Sequence, residues 1–230
     1  MRVVAIAGSS SNVGKTTLAC ELLRRLPGWE AVKVTKGHFR SCGKDPHACC
    51  VSHLLSDRPL VASDRARTDV PGKDTGRYWA AGAAGVHWVV ATRDAVAEGV
   101  REALARVRPG APGVLVEGTG FVLEVDVDLA VMAIGSHPRE LKASALRALP
   151  RMDVLYAGAV ERGDTAPEAA LARLLGRRGV TSPLPPLLFE PDLGRLAAMA
   201  ASGRGKSSGL TKQLDSSRTV PTRRDPGCPD

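Results

Sequence analysis

The sequence predicts an α/β fold with three layers, in which helices flank a mostly parallel sheet. Short apolar runs alternate with helical stretches along the chain, which is the pattern of βαβ units. The first apolar run leads through a glycine-containing turn directly into an amphipathic helix. The 230 residues, 43% of them hydrophobic and 24% charged, are enough for one large buried core. We therefore expect one α/β domain over residues 1–202.

Six strands are expected from short apolar runs, several of them rich in β-branched residues. The first, RVVAIA, ends against Gly8, which is typical of a buried strand. The six runs occupy residues 2–7, 31–35, 86–91, 113–116, 128–134 and 154–160.

Six helices are expected between and after these strands. In the first, Ala19, Leu22, Leu23 and Leu26 fall on one face, at the spacing of an amphipathic helix. The six helical stretches are residues 14–26, 75–84, 95–107, 139–149, 167–178 and 192–201.

Two segments depart from this alternation. Residues 36–72 are polar and show no clear period, and a loop of that length inside a domain is usually functional. Residues 203–230 are rich in Gly, Ser, Thr and Pro and carry six basic and three acidic residues. Because this tail has almost nothing to bury, we expect it to be disordered.

The turn after the first strand has the sequence of a phosphate-binding loop. Gly14-Lys15-Thr16 stands between a strand and a helix, where backbone N–H groups and the helix N-terminus can bind phosphate oxygens. The upstream Gly8 comes one residue earlier than usual, and Ser9 takes the usual first-glycine position. We expect a bound nucleotide to be held by Ser11, Asn12, Val13, Gly14, Lys15, Thr16 and Thr17.

Roles within this loop follow from residue type. Lys15 is expected to reach the β- and γ-phosphates and to act in catalysis, Thr16 to bind Mg²⁺, and Thr17 to contact the α-phosphate. Glu117 ends a buried strand, at the edge of the sheet where ligands bind, and is expected to hold Mg²⁺ as the second catalytic residue.

Four more residues are candidates for the same site. Asp74 opens a predicted helix, where two compatible roles are open: an N-cap, and a catalytic carboxylate near the γ-phosphate that orients water or binds Mg²⁺. Arg77 is either a phosphate ligand or an exposed helix residue. Lys36 and His38 follow the second strand and are candidate contacts to phosphate or substrate.

The segment IAGSSSNVGKTTLA resembles the phosphate loop of the SIMIBI branch of P-loop proteins. Dethiobiotin synthetases and cobyrinate diamide synthases of this branch also place the glycine early. Members that dimerise around nucleotide often carry a second lysine near the start of the loop, where this chain has Ser10. That difference argues against assigning this chain to the cell-division or plasmid-partition ATPases.

Downstream segments narrow the resemblance. Lys36-Gly37-His38, then G-K-D-T-G-R at residues 72–77 and A-A-G-A at residues 80–83, are similar to molybdopterin-guanine dinucleotide biosynthesis protein B. The similarity covers residues 1–120 well and residues 120–165 loosely. It implies an accessory protein with weak GTPase activity that serves the attachment of a guanine nucleotide to molybdopterin.

GTP-binding members of the branch often end a late strand with N-K-x-D, and Asp164 matches the final position while Glu161 replaces the asparagine. An ordinary charged loop is the alternative there, and the choice between ATP and GTP stays open.

A second metal site is a weaker hypothesis. Thiol and imidazole groups at short spacing suit Zn²⁺, but the spacing does not match a pair of C-x₂-C motifs. The alternatives are thiol chemistry on a substrate and ordinary loop or core cysteines. The candidate ligands are Cys42, His47, Cys49 and Cys50.

The composition of the chain limits which binding partners and which cellular compartment we expect. The net charge of +8 would suit an anionic ligand, but 3% aromatic residues are poor material for stacking bases, which argues against nucleic acid. No apolar run is long enough to span a membrane. Five cysteines, an odd number, without an export signal favour a cytoplasmic protein with reduced thiols.

Three functions are therefore carried forward. The first is a Mg²⁺-dependent accessory NTPase of molybdenum cofactor biosynthesis with slow hydrolysis. By analogy with other members of the branch, it would form a homodimer. The second is an ATP-dependent small-molecule kinase or ligase that resembles dethiobiotin synthetase. The third is a metal or cofactor carrier that nucleotide only switches between conformations.

Overall fold

Eight strands form one sheet in this computed structural model, which describes residues 1–37, 51–136, 138–158, 166–180 and 183–202. The strands are β1 (Arg2–Gly8), β2 (Glu30–Lys36), β3 (Leu60–Ala62), β4 (Val86–Ala91), β5 (Gly113–Glu117), β6 (Leu129–Ile134), β7 (Val154–Ala157) and β8 (Leu187–Phe189). Their order in the sheet is β3-β4-β2-β5-β1-β6-β7-β8. All neighbours are parallel except β3, which runs antiparallel to β4 at one edge.

Seven α-helices in the described residues cover both faces of the sheet. They are α1 (Lys15–Leu23), α2 (Arg65–Thr68), α3 (Asp74–Ala80), α4 (Val96–Ala105), α5 (Ala143–Ala148), α6 (Ala166–Gly176) and α7 (Leu193–Ser202). Short 3₁₀ turns lie at Ser52–Leu54, Gly120–Leu123, Leu149–Arg151 and Glu190–Asp192. Buried residues of α1, α3 and α7 belong to one apolar core, and those of α4, α5 and α6 belong to a second core.

The two cores lie on opposite faces of the sheet because side chains alternate along each strand. In β1, Val4 and Ile6 pack in the core of α1, while Ala5 and Ala7 pack in the core of α4. Helices on both faces explain why the strands are continuous apolar runs. The three-layer α/β architecture predicted from the sequence, a mostly parallel sheet flanked by helices, is confirmed.

Most of the helices are shorter than the sequence predicts. The expected helix at residues 75–84 ends at Ala80 because Gly82 takes a left-handed conformation with φ of 92°. The expected helix at residues 139–149 begins only at Ala143, since Lys142 is extended and donates its N–H to the Ser9 carbonyl oxygen at 3.0 Å.

Two regions contain structure that the pattern did not indicate. The described part of the expected loop at residues 36–72 contains β3 and α2. The strand β8 was also missed. Both strands have three residues, which is too short for periodicity to be visible. The expected tail, residues 203–230, lies outside the described residues.

Candidate functional site

The phosphate-loop sequence forms the connection between β1 and α1. β1 lies beside β5 in the sheet, and the connections that follow these two strands run in opposite directions, from β1 to β2 and from β5 to β6. Such a reversal marks the ligand-binding crevice of other α/β folds. The loop uses two left-handed backbone positions, Asn12 with φ of 57° and Gly14 with φ of 86°. Glycine adopts this conformation freely and asparagine tolerates it, which explains these residue types in the loop.

The loop presents a row of free backbone donors. The N–H of Ser9 is bound to the Ala133 carbonyl oxygen at 2.9 Å, and the N–H of Leu18 is bound to the Gly14 carbonyl oxygen at 2.8 Å. Between them, the eight N–H groups of residues 10–17 have no acceptor within the described part of the chain. Free N–H groups that precede and open a helix are the usual ligands of phosphate oxygens.

Lys15 lies across the end of β1. Its Nζ donates to the Ser10 carbonyl oxygen at 3.2 Å. A Cβ atom on Gly8 would lie 2.6 Å from the Lys15 Cδ, so the early glycine is needed where the lysine stem crosses the backbone. Ser9, in the usual glycine position, is fully buried, and its hydroxyl has no hydrogen-bond partner among the described residues.

Burial lowers the pKa of Lys15, although the negative charge of Glu117 opposes this shift. The cations Lys33 and Lys142 lower the pKa of Lys15 further. The ammonium group therefore gains from any added negative charge near the loop.

The carboxylate of Glu117 is the centre of a buried polar network. It ends β5 and is only 2% exposed. Thr16 donates its hydroxyl to Glu117 Oε2 at 2.8 Å, and the phenol of Tyr78 donates to the same oxygen. Lys33 Nζ lies 2.6 Å from Glu117 Oε1 and 2.5 Å from Asp74 Oδ2. The predicted catalytic residues Asp74 and Glu117 are thus held together by one lysine.

The ionisation of this network is fixed by its charges. Burial opposes the charge of Lys33, but the attraction of Glu117 and the hydrogen bonds to both carboxylates outweigh it and raise its pKa. Burial also opposes the charge of Asp74, but the Lys33 hydrogen bond and charge lower its pKa. Burial and the neighbouring Glu117 carboxylate raise the pKa of Tyr78 well above its ordinary value. At neutral pH the network therefore holds one ammonium, a charged Asp74 and a neutral phenol.

A cavity of about 340 Å³ joins the loop to this network. Arg77 lies at its rim, with Nη2 3.3 Å from the Thr17 hydroxyl and Nη1 3.9 Å from an Asp74 oxygen. The structure thus places together most of the residues that the sequence singled out, on the face of the sheet covered by α1 and α3. The cavity is lined by Ser11, Asn12, Val13, Gly14, Lys15, Thr16, Thr17, Lys33, Asp74, Arg77 and Glu117.

Lys36 is not part of this lining. It ends β2, three residues after Lys33, and so points to the opposite face of the sheet. There it lines a second, larger cavity that it shares with Lys15.

Several predicted residues lie outside the described residues. They are His38, Cys42, His47, Cys49, Cys50 and Asp164. Among the residues that the structure does describe, no group of three or more His, Cys, Asp or Glu side chains is arranged to hold a metal ion. No helix in the described ranges is both long and apolar enough to cross a membrane.

Sequence reasoning missed Lys33 and Tyr78. A signal existed for each: Lys33 interrupts the apolar run of β2, and a buried lysine needs a carboxylate partner. Tyr78 stands four residues after Asp74 in α3, which places both on one helix face.

Comparison with known proteins adds little to this description. No family model and no curated protein matches the chain. A nucleotide-binding protein in complex with ADP from Archaeoglobus fulgidus is 15% identical, with a TM-score of 0.38 over 89% of this chain and 88% of that one. The MinC:MinD cell division complex from Aquifex aeolicus is 15% identical, with a TM-score of 0.38 over 88% and 86%.

A plasmid partition protein from Borrelia burgdorferi B31 bound to AMPPNP is 11% identical, with a TM-score of 0.37 over 86% of this chain and 88% of that one. Likeness this distant assigns no function, so the functional conclusion depends on the site itself.

Proposed function

We propose that this chain binds a nucleoside triphosphate together with Mg²⁺ and cleaves or transfers its terminal phosphoryl group slowly. The observation that carries the proposal is the row of eight backbone N–H groups at residues 10–17, which have no acceptor among the described residues and lie next to the ammonium group of Lys15. Such a row binds a chain of phosphates through many weak donors at once. The lowered pKa of Lys15 fits this role, because a phosphate would supply the negative charge that burial makes favourable.

The residues around Glu117 fit a magnesium ion. Mg²⁺ prefers hard oxygen ligands and is usually held by one or two carboxylates beside substrate phosphates. Here the hydroxyl of Thr16 and the carboxylates of Glu117 and Asp74 would hold it. A bound Mg²⁺ would neutralise charge on the phosphate oxygens.

Lys33 keeps these carboxylates ready for a cation. Without a nearby cation, the buried carboxylate of Glu117 and the part-exposed carboxylate of Asp74 would repel each other. Tyr78 fixes the orientation of Glu117 by donating its phenol proton to one oxygen. The chain thus positions its own acids before any ligand arrives.

Slow turnover follows from what surrounds the site. The whole sequence has one glutamine, Gln213, in the tail, so no glutamine of the core can orient an attacking water. Arg77 is the one arginine among the described residues that line the cavity. It lies next to Thr17, which is expected to contact the α-phosphate. Both features suit an accessory NTPase better than a fast hydrolase.

The finer assignment is an accessory role in molybdenum cofactor biosynthesis, with GTP as the nucleotide. It is supported by the resemblance of the segments at residues 36–38 and 72–77 and by the position of Asp74, from the second segment, beside Lys33. A dethiobiotin synthetase-like kinase or ligase is the second candidate, which the larger cavity next to Lys15 favours.

The test is a calorimetric titration of ATP, GTP, ADP and GDP with and without Mg²⁺. We expect triphosphates to bind more tightly with Mg²⁺, and Thr16→Val to lose most of that gain while it keeps the metal-free affinity. Preference for GTP supports the accessory role, and preference for ATP supports the kinase or ligase. Failure of all four nucleotides to bind would overturn the proposal.

A further inference from the structure

A second cavity of about 680 Å³ adjoins the phosphate loop. Ser11 and Lys15 line both cavities, but the larger one lies on the face of the sheet covered by α4 and α5. Its walls come from the end of β2, the segment after β4, the turn after β5 and the start of α5. We call it the cationic cleft, after the four basic side chains that line it beside Lys15: Lys36, Arg93, Lys142 and Arg147.

These four cations have no ion-pair partner among the described residues. Two acids, Asp94 and Glu124, also line the cleft but lie beyond ion-pair distance of them. Burial and the charges of Arg93, Arg147 and Lys142 lower the pKa of Lys36, so the four cations act on one another across the cleft. Like charges that face a common space without a counterion favour an anionic ligand.

The rest of the lining suits an organic molecule rather than a bare ion. Val34, Val96 and Leu123 give the cleft an apolar side, and the hydroxyls of Thr119 and Ser144 add polar groups. The volume is in the range of small-molecule sites, which are typically about 300–1,000 Å³.

Lys142, which lines the cleft, also forms hydrogen bonds to the phosphate loop. Its Nζ donates to the Ser11 hydroxyl at 2.6 Å, and its backbone N–H donates to the Ser9 carbonyl oxygen at 3.0 Å. A ligand that contacts Lys142 would therefore lie directly beside the loop that is proposed to hold the nucleotide.

We infer that the cationic cleft binds a second substrate next to the nucleotide: a small organic anion with an apolar body and two or more negative charges. This inference rests on the proposed function, because Lys15 would face the phosphates of the nucleotide from one side and the second ligand from the other. It explains why basic residues from three separate parts of the chain meet in one cavity without a carboxylate partner in the described part of the structure.

The test uses phenyl phosphate, which joins an apolar ring to a phosphate, as the probe. The protein is first saturated with Mg²⁺ and a non-hydrolysable analogue of the triphosphate that binds best, so that the phosphate loop is occupied. Phenyl phosphate is then titrated by calorimetry. The paired substitutions Arg93→Gln and Arg147→Gln remove two charges from the cleft. The matched control, Arg173→Gln with Arg178→Gln, removes two charges from exposed positions in and just after α6.

We expect the Kd of phenyl phosphate to rise about tenfold or more in the cleft variant and to change less than about threefold in the control. The Kd of the nucleotide should change less than about threefold in both. Equal losses in both variants, displacement of the probe by nucleotide, or no binding at about 10 mM probe would overturn the inference. If nucleotide binds and phenyl phosphate does not, the inference alone fails; if no nucleotide binds, the proposed function fails as well.

Discussion

Lys33 and Glu117 are register partners on the neighbouring strands β2 and β5, and Lys33 Nζ lies 2.6 Å from Glu117 Oε1. The same Nζ lies 2.5 Å from Asp74, at the start of α3. One half-buried cation thus joins the sheet to the helix layer at the site where the phosphate loop ends. The pair makes the proposed magnesium ligands part of the folded core.

Lys33→Met should lower the free energy of unfolding by about 3 kcal/mol, because Glu117 would stay buried without its cation. Adding Glu117→Gln should recover part of this loss, since the uncompensated charge is then gone. Urea unfolding of the two variants measures both effects. The control is Arg24→Met, which breaks an exposed pair with Glu21 and should cost less than about 1 kcal/mol. Equal losses from Lys33→Met and Arg24→Met would show that the buried pair is not formed.

The two tyrosines should resist ionisation in the folded protein. Burial and the charge of Glu190 raise the pKa of Tyr156 from 10.0 to about 12, and burial and Glu117 raise the pKa of Tyr78. A phenol with a raised pKa in the folded state stabilises the fold fully below pH 10, and this contribution is lost as the pH rises through the folded pKa. Absorbance at the phenolate band should therefore stay flat to about pH 11 while circular dichroism is unchanged. Titration of either tyrosine near pH 10 in the folded protein would contradict this.

Gly8→Ala should weaken nucleotide binding by about tenfold without unfolding the protein. The new Cβ would lie 2.6 Å from Lys15 Cδ, so the lysine stem must move away from the loop. Gly194→Ala is the matched control, because a Cβ there meets no atom within 4 Å. Calorimetric titration of both variants separates the effects, and an unchanged affinity in Gly8→Ala would mean that the Lys15 position is unimportant.

Ser9→Ala should raise the free energy of unfolding by about 1 kcal/mol, since it removes a buried hydroxyl that has no partner among the described residues. Thr119→Val should have the opposite effect, because the Thr119 hydroxyl accepts the Gly8 N–H at 3.1 Å. Thermal and urea unfolding of the two variants test this contrast. A destabilised Ser9→Ala would show that the hydroxyl is bonded after all.

Local chemistry explains which parts of the site could be predicted. Gly14, Lys15 and Thr16 are consecutive, so their sequence alone indicates the loop, and Glu117 is indicated by its place at the end of an apolar strand. The two acids meet, however, through Lys33, and this contact depends on the pairing of β2 with β5 across a sequence separation of 84 residues. The periodicity of apolar residues along the sequence does not indicate which strands pair with each other.

The position of Lys36 shows the same limit at shorter range. The sequence predicts Lys33 within the second strand and Lys36 directly after it. In the structure both lie in β2, and their odd separation sends them to opposite faces of the sheet. Only the three-dimensional structure shows that one lies beside the acids and the other in the cationic cleft. The short strands β3 and β8 were missed because three residues give no period.

The most direct test of nucleotide binding is the affinity of Lys15→Ala for the preferred Mg²⁺–triphosphate, compared with that of Arg173→Ala on α6. We expect Lys15→Ala to lose about a hundredfold or more, because the cation beside the free N–H row is gone, and Arg173→Ala to bind as the natural chain does. Equal affinity in both variants would contradict the assignment of this loop as the phosphate site.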